Sequence, residues 1–454
     1  MAKDDNSVLK KYFRSLGSQI IYRDINSIKP NANNARAHSL KQIKQIEKSI
    51  RAFGFINPIL IGEDSVIIAG HGRLAAAREI GMNEVPSIEL KYLSEAQKRA
   101  YVIADNRLAE LAAWDEEILA IELQNLLEFD LEFDIAVIGF ETPEIDLLIQ
   151  NLGSENDQDD HLPDVNENTP IASRLGDHWS LGNNFVVCGD CRDSKVLDLL
   201  MQDNQAQIVI TDPPYNVPID GHVCGLGKYQ HNNFIMASGE MTSEEFINFL
   251  RTSLSQLIRV SRDGALHYIF MDWRHIYELQ SACNPLYDAL INLCVWAKTN
   301  GGMGSFYRSQ HELVFVYSHG KKPHINNVEL GKHGRYRTNV WSYPGVNVFG
   351  SERDELLSMH PTIKPVQLIK DAILDATNRG DIVLDGFLGS GSTLIAAERT
   401  ARVCYGVELN PKYIDITIQR WEKLTNKKAI HTATGYTFDE MIVYRTEEGV
   451  DHAQ

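Results

Sequence analysis

At 454 residues, 43% of them hydrophobic, the chain is expected to fold as two or three domains rather than around one core. It has no run of about 20 apolar residues, Met1 to Ser18 are charged without a signal-peptide apolar run, and the six cysteines are scattered, which argues against a membrane protein or a disulfide scaffold and for a cytoplasmic one. The net charge of −17 does not exclude nucleic acid, because residues 1–100 carry 16 basic and 10 acidic side chains, residues 101–170 carry 1 and 19, and the rest carry 27 and 32.

In chain order, Ser39-Leu40-Lys41-Gln42 opens an amphipathic helix through Phe53, with Ile43, Ile46 and Ile50 on one face and Gly54 closing it. Short strands are expected at 58–61 and 66–69, the second running into Gly70-His71-Gly72-Arg73 and a helix through Ile80. Helical, increasingly acidic sequence continues to about Leu152. Residues 153–170 are polar and nearly free of large apolar side chains, the composition of a solvated connector.

Beyond it, apolar runs at 185–188, 207–210, 265–270, 293–296, 313–317, 382–384 and 403–407 alternate with helical stretches. That alternation predicts an α/β fold with a mostly parallel sheet, where sites form at the carboxyl ends of strands. Cys188 and Cys191 make one CxxC without a second ligand pair, so no metal is expected.

Thr211-Asp212-Pro213-Pro214-Tyr215 directly follows the run 207–210. An exocyclic base amine is a poor nucleophile because its lone pair is delocalised into the ring. An aspartate and a prolyl carbonyl that accept its two hydrogens oppose that delocalisation, and two prolines hold the carbonyl still. A base must be flipped out of a duplex to reach such a site, and Tyr215 offers a ring for it to stack on. Later, His360-Pro361-Thr362-Ile363-Lys364-Pro365 offers a lysine or threonine to a ligand carboxylate. The run 382–384 continues into Asp385-Gly386-Phe387-Leu388-Gly389-Ser390-Gly391-Ser392-Thr393, where Gly389 and Gly391 let a ligand approach the backbone and a helix N-terminus offers N–H groups. The GxGxxG spacing and the Walker lysine are both missing, which demotes NAD and ATP. The run 403–407 ends at Glu408, a carboxylate suited to two ribose hydroxyls.

Together, DPPY, HPTIKP and DGFLGSGST in this order resemble the β class of DNA amino-methyltransferases over roughly residues 171–440. The resemblance implies a Rossmann-like, S-adenosylmethionine-dependent methyltransferase fold with Asp212, Pro213, Pro214 and Tyr215 at the target base. It places Asp190, Lys364, Asp385, Phe387, Gly389, Ser390, Gly391, Thr393 and Glu408 around the cofactor. Gly386 and Leu388 depart from the residues common at those positions. Target recognition is placed at about 298–358. From Lys298 to Arg337 there are 7 basic residues, 2 acidic ones and 4 histidines, interleaved with Phe306, Tyr307, Tyr317 and Tyr336, and Lys298, Arg308, Arg335 and Arg337 are the DNA-binding candidates.

Residues 25–110 resemble the ParB-like N-terminal domain through the turn and helix from Gly70 to Gly81 and through Ala104-Asp105-Asn106-Arg107. The resemblance implies a smaller α+β domain whose glycine-arginine turn binds nucleotide phosphates. His71-Gly72-Arg73 stands where nucleotide-hydrolysing members carry an acidic residue and two arginines, so turnover is not implied.

The expected division is therefore a ParB-like domain with an acidic helical extension at 1–150, a linker at 151–170, a methyltransferase domain at 171–440 and a tail at 441–454. The leading function is methylation of adenine N6 in duplex DNA. Cytosine N4, whose enzymes more often carry Ser at the Asp212 position, remains an alternative, as does a ParB-like regulatory protein with an inactive second domain; methylation of protein glutamine or RNA uses a related NPPY-type motif. The expected partners are double-stranded DNA, a nucleotide or phosphate at the N-terminal domain and a second copy of the chain in a homodimer, with no membrane partner.

Overall fold

The helix expected after Ser39 forms as α1 (Leu40–Phe53), because the Ser39 side chain accepts from the Gln42 N–H and Gly54 ends it at φ 82°. In the computed structural model, which describes residues 20–129, 133–152, 157–160, 170–217, 237–299, 301, 306–332, 334–345 and 363–451, α1 belongs to the first of two units, Met1–Leu152 and Gly153–Gln454.

In the first unit, strands β1 (Ile21–Asp24), β2 (Ile59–Ile61), β3 (Ile67–Ala69) and β4 (Glu84–Glu89) form a sheet in the order β1-β4-β2-β3. Ile59, Ile61, Ile67 and Val85 share a core with Leu74 and Ala77 of helix α2 (His71–Ile80). Helix α3 (Glu95–Glu110) starts with a Ser94–Gln97 capping box, and α4 (Glu116–Glu128) and α5 (Thr142–Leu152) follow.

In the second unit the strands are β5 (His178–Leu181), β6 (Asn184–Cys188), β7 (Ala206–Thr211), β8 (Ser261–Met271), β9 (Ala289–Ala297), β10 (His311–His319), β11 (Val340–Ser342), β12 (Ile382–Asp385), β13 (Val403–Glu408) and β14 (Ile430–His431); the seven apolar runs fall in all but the short edge strands β5, β11 and β14. They form one sheet in the order β11-β9-β10-β8-β7-β12-β13-β6-β5-β14. The central strands β8, β7, β12, β13 and β6 are parallel. Antiparallel pairs flank them, β10 with β8 and β9 on one side and β5 with β6 and β14 on the other. The sheet is thus mixed, since β9 joins β10 and β5 joins β6 without the crossover helix that parallel pairing requires.

Alternate residues of the central strands face opposite cores. Ile208, Ile210 and Val383 pack with helix α9 (Val366–Ala376) on one face. Val209 and Leu384 pack with α6 (Ser194–Met201) and α7 (Ser243–Arg259) on the other. Helix α8 (Ile276–Cys283) precedes β9, α10 (Ser392–Arg399) and α11 (Pro411–Thr425) flank β13, and α12 (Phe438–Asp451) follows β14.

Two expected boundaries are corrected. The 441–454 tail is mostly helix α12, and Phe438 and Met441 lie in the core because the chain returns over Trp179. Within the 151–170 linker, Asp157–Asp160 is a short 3-10 helix whose acids are used. Asp159 pairs with Arg399 at 2.6 Å, its carbonyl accepts from Arg420, and Asp160 accepts from the Val366 N–H at 2.8 Å. An acidic composition reads as solvated, but here the basic partners are more than 200 residues away. The other linker residues from 153 to 169 lie outside the described residues. Among the described residues, no helix is long and apolar enough to cross a membrane.

Candidate active site

Because β7, β12, β13 and β6 are parallel neighbours, their carboxyl ends lie on one edge of the sheet. That edge brings together Asp212 just after β7, Asp385 ending β12, Glu408 ending β13 and Asp190 just after β6. The chain leaves β7 towards β8 and β12 towards β13, in opposite directions, so Asp212 and Asp385 flank the switch point where α/β sheets open a crevice.

At Asp212 the structure builds a buried charge cluster. The Tyr215 hydroxyl lies 2.6 Å from Asp212 Oδ1 and 3.2 Å from Glu312 Oε2. Lys364 Nζ donates to Asp212 Oδ2 and sits 3.2 Å from Glu312 Oε2, and Lys298 Nζ sits 2.5 Å from Glu312 Oε1. Two carboxylates thus face two ammonium groups, and the Lys364 side chain is 6% exposed. Burial pushes the Asp212 carboxyl up, opposed by Lys364. Burial acts the same way on Glu312, but Lys364 and Lys298 outweigh it and hold that carboxyl down at about 2. Burial, then Asp212 and Glu312, push the Tyr215 hydroxyl well up.

This corrects the placement of Lys364, expected at the cofactor carboxylate. It sits just before α9, which packs on the sheet, and its buried ammonium finds its counter-charges at Asp212 and Glu312. His360, Pro361 and Thr362 lie outside the described residues. Glu312 was not read from the sequence; its only signal was that it is one of two acids in a basic segment.

On the β12–β13 side, Glu408 accepts from the Gly389 N–H and the Asn410 N–H, each at 2.8 Å, and burial raises its carboxyl. Asp385 accepts from the Thr393 hydroxyl at 2.7 Å, the Phe387 N–H at 3.0 Å and the Thr211 hydroxyl at 3.2 Å, and burial pushes it up to about 7. Asp190 is held by Arg192 at 2.7 Å, whose guanidinium lies 5.2 Å from the Phe249 ring; the Phe387 ring lies 6.0 Å from that same ring.

Three of the expected cofactor contacts instead brace this turn. The Thr393 hydroxyl is spent on Asp385. Ser390 accepts from buried Arg420 through its carbonyl at 2.6 Å and its hydroxyl at 3.3 Å. Gly391, at φ 86°, is needed because a β-carbon there would meet the Thr417 side chain of α11 at 2.7 Å. The glycine admits the neighbouring helix. Cys188 and Cys191 are buried, and burial pushes both thiols up, Cys188 to about 12.

The expected DNA-facing residues divide. Arg335 is buried, 2.7 Å from Asp375 and 3.2 Å from Asp371, and Arg337 lies 3.0 Å from Asp375 and 2.9 Å from the Tyr343 hydroxyl. Both arginines therefore fasten the segment before β11 to one face of α9, where Asp371 and Asp375 are four residues apart. Lys298 belongs to the charge cluster at Asp212 and Glu312, and Tyr317 is core. Arg308 is exposed and donates to the Gly301 carbonyl at 2.7 Å, with Phe306 and Tyr307 exposed beside it. The part of the expected recognition region at 346–358 lies outside the described residues.

Comparison with known proteins agrees with this geometry. A DNA methylase profile matches residues 206–419, a ParB N-terminal domain profile residues 14–107, and a ParB-methyltransferase HTH domain profile residues 117–174. The last covers much of the segment that the sequence reading left as acidic extension and linker. The chain is 25% identical over 231 residues to the type II methyltransferase M2.MboI of Moraxella bovis, covering 49% of this chain and 83% of that protein. It is 25% identical over 240 residues to the type II methyltransferase M.HpaI of Haemophilus parainfluenzae, covering 50% and 71%. Its N-terminal part is 47% identical over 81 residues to the ParB-like nuclease domain-containing protein YnaK of Escherichia coli K12, covering 18% of this chain and 93% of that protein. With its DPPY aspartate at the switch point of a mixed α/β sheet, the chain belongs to the N6/N4 family of DNA methylases and carries a ParB-like N-terminal domain.

Proposed function

We propose that the chain transfers a methyl group from S-adenosylmethionine to the exocyclic amine of a base flipped out of duplex DNA, with adenine N6 as the acceptor. The observation that carries this reading is the Asp212 carboxylate, half-buried beside Tyr215 at the sheet edge that also presents Glu408 and Asp190. When bound, the cofactor supplies an electrophilic methyl group on a sulfonium. Glu408 would hold its ribose hydroxyls, and Asp190 and Phe387 its adenine; acids suit this ligand because its sulfonium is cationic.

Asp212 and the Pro213 carbonyl accept the two amine hydrogens, which localises the nitrogen lone pair for attack. The amine nitrogen would take the methyl carbon as the carbon–sulfur bond breaks with its electron pair left on sulfur, and one amine proton would pass through Asp212 to solvent. Tyr215 stacks on the extruded base, and before the base arrives its hydroxyl holds Asp212 in place. An aspartate at position 212 favours adenine over cytosine. Mass spectrometry of nucleosides from DNA of cells expressing the chain tests this: N6-methyladenine is expected, N4-methylcytosine would overturn the choice of base, and neither would overturn the amine chemistry.

The N-terminal unit is proposed to bind phosphate, from a nucleotide or from DNA, at the start of α2. Gly70, at φ 109°, leaves that helix without a side-chain cap, and Arg73 folds back over it with a buried Nε that makes no hydrogen bond among the described residues. Arg73→Ala should weaken DNA binding across a salt series, and binding curves identical to wild type would remove this role.

A further inference from the structure

A substrate amine needs a well-aligned lone pair on Asp212, and each of its two oxygens already holds a donor that competes for that place. Oδ1 faces the Tyr215 hydroxyl at 2.6 Å, and Oδ2 accepts from Lys364. The same two donors also reach one other atom, Glu312 Oε2, each at 3.2 Å. Tyr215 has one hydroxyl hydrogen, so it serves one carboxylate at a time. Lys298, 2.5 Å from Glu312 Oε1 and 4.6 Å from the centre of the Trp296 ring, keeps Glu312 charged on its far side without reaching for Asp212.

We infer that Glu312 is a positioning residue that takes over the Lys364 ammonium, and with it the Tyr215 hydroxyl, when a flipped base enters, so that Asp212 is released to accept the base amine. This rests on the function proposed above. The buried ammonium is never left without a counter-charge during the exchange, which a single aspartate does not provide. Before the base arrives, Lys364 pairs with Asp212; afterwards it stays within reach on the neighbouring carboxylate. No covalent step is involved, only a move of hydrogen bonds between two acceptors already in place.

The test is single-turnover methyl transfer by the full-length protein with labelled S-adenosylmethionine and a duplex carrying a mapped target site. Glu312→Gln keeps the shape and removes the charge that draws Lys364 away. It should slow transfer by about tenfold, the loss of one hydrogen bond to a charged group, while cofactor binding by calorimetry is unchanged. Adding Lys364→Met to Glu312→Gln removes the group left on Asp212, so the double variant should be several-fold faster than Glu312→Gln alone, by the size of that same lost bond. A merely structural Glu312 would make the double variant as slow or slower, and that result, or an unslowed Glu312→Gln, would overturn the inference. If Glu312→Gln does not fold, Glu312→Asp withdraws the acceptor while keeping its charge. It should be slowed less and relieved by the same lysine change, and an unslowed Glu312→Asp would overturn the inference as well. Absence of product from the wild-type protein would instead sink the functional reading, and this inference with it.

Discussion

The edge formed by β6, β13, β12 and β7 and the segment from Lys298 to Arg337 were equally rich in candidate residues, and the structure treats them differently. At the edge, Asp190, Asp212, Asp385 and Glu408 lie where strand ends place them, because a residue that closes a parallel strand reaches the same side as its neighbours whatever the loops do. In the basic segment, position along the chain says little about which charge stays in water. Arg335 and Arg337 are consumed by Asp371 and Asp375, and Lys298 by Glu312, leaving Arg308 exposed. A strand end is a topological fact, whereas a net positive count does not record which carboxylates the fold brings to meet it.

Several variants break or sharpen this comparison. The largest effect should come from the edge: Asp212→Ala is expected to lower the methyl-transfer rate by about 100-fold or more while cofactor affinity stays within a few fold, measured by initial rates and calorimetry. Retention of a tenth of wild-type turnover would remove Asp212 from the chemistry.

Next comes the basic segment, where two arginines should behave as opposites. Arg335→Ala leaves Asp375 and Asp371 short of a buried partner and should cost about 3–5 kcal/mol in a denaturant titration. Arg308→Ala should change stability by less than about 0.5 kcal/mol and lower the salt dependence of DNA binding by about one phosphate contact. If Arg335→Ala were as stable as Arg308→Ala and lost DNA affinity instead, the original reading of this segment would return.

Within the edge itself, Gly391→Val separates a packing glycine from a ligand-contacting one. Its side chain would collide with Thr417 in a left-handed backbone conformation, so a loss of about 2 kcal/mol in stability is expected. Normal stability with weakened cofactor binding would put the ligand where Thr417 is now found.

The last prediction concerns the pH dependence set by Asp385. Its carboxyl is raised to about 7 in the folded protein, above the unfolded value of about 3.9, so the folded state holds the extra proton between them. Its contribution to stability is therefore full below about pH 4 and is lost as pH rises through about 7. Relative to Asp385→Asn, the wild type should lose stability between about pH 4 and pH 7, and parallel stability curves would show that Asp385 is ionised throughout.

Much was legible before any coordinates. The Ser39 cap and Gly54 stop delimited α1, the alternation of apolar runs located the seven longer or central strands, and Asp212 and Glu408 were found from the strands they close. Local chemistry sufficed there: a cap bonds to the N–H groups next to it, and a buried strand must be apolar over its own length. What was not legible was each group's distant partner. Glu312 carries no motif, Lys364 reads as a ligand contact until its two carboxylates are seen, and Asp159 reads as solvated until Arg399 and Arg420 meet it.

The sequence by itself determined the order of elements, the identity of the residues at the strand ends and the family chemistry those residues bring, because each depends on neighbours within a few positions. Only the tertiary structure decided which charges are spent on one another: Lys364 on Asp212 and Glu312, and Arg335 on Asp371 and Asp375. A buried charge is stable only beside its counter-charge. Those partners lie as far as 152 residues apart in the chain, and the packing of helices on the sheet brings them together.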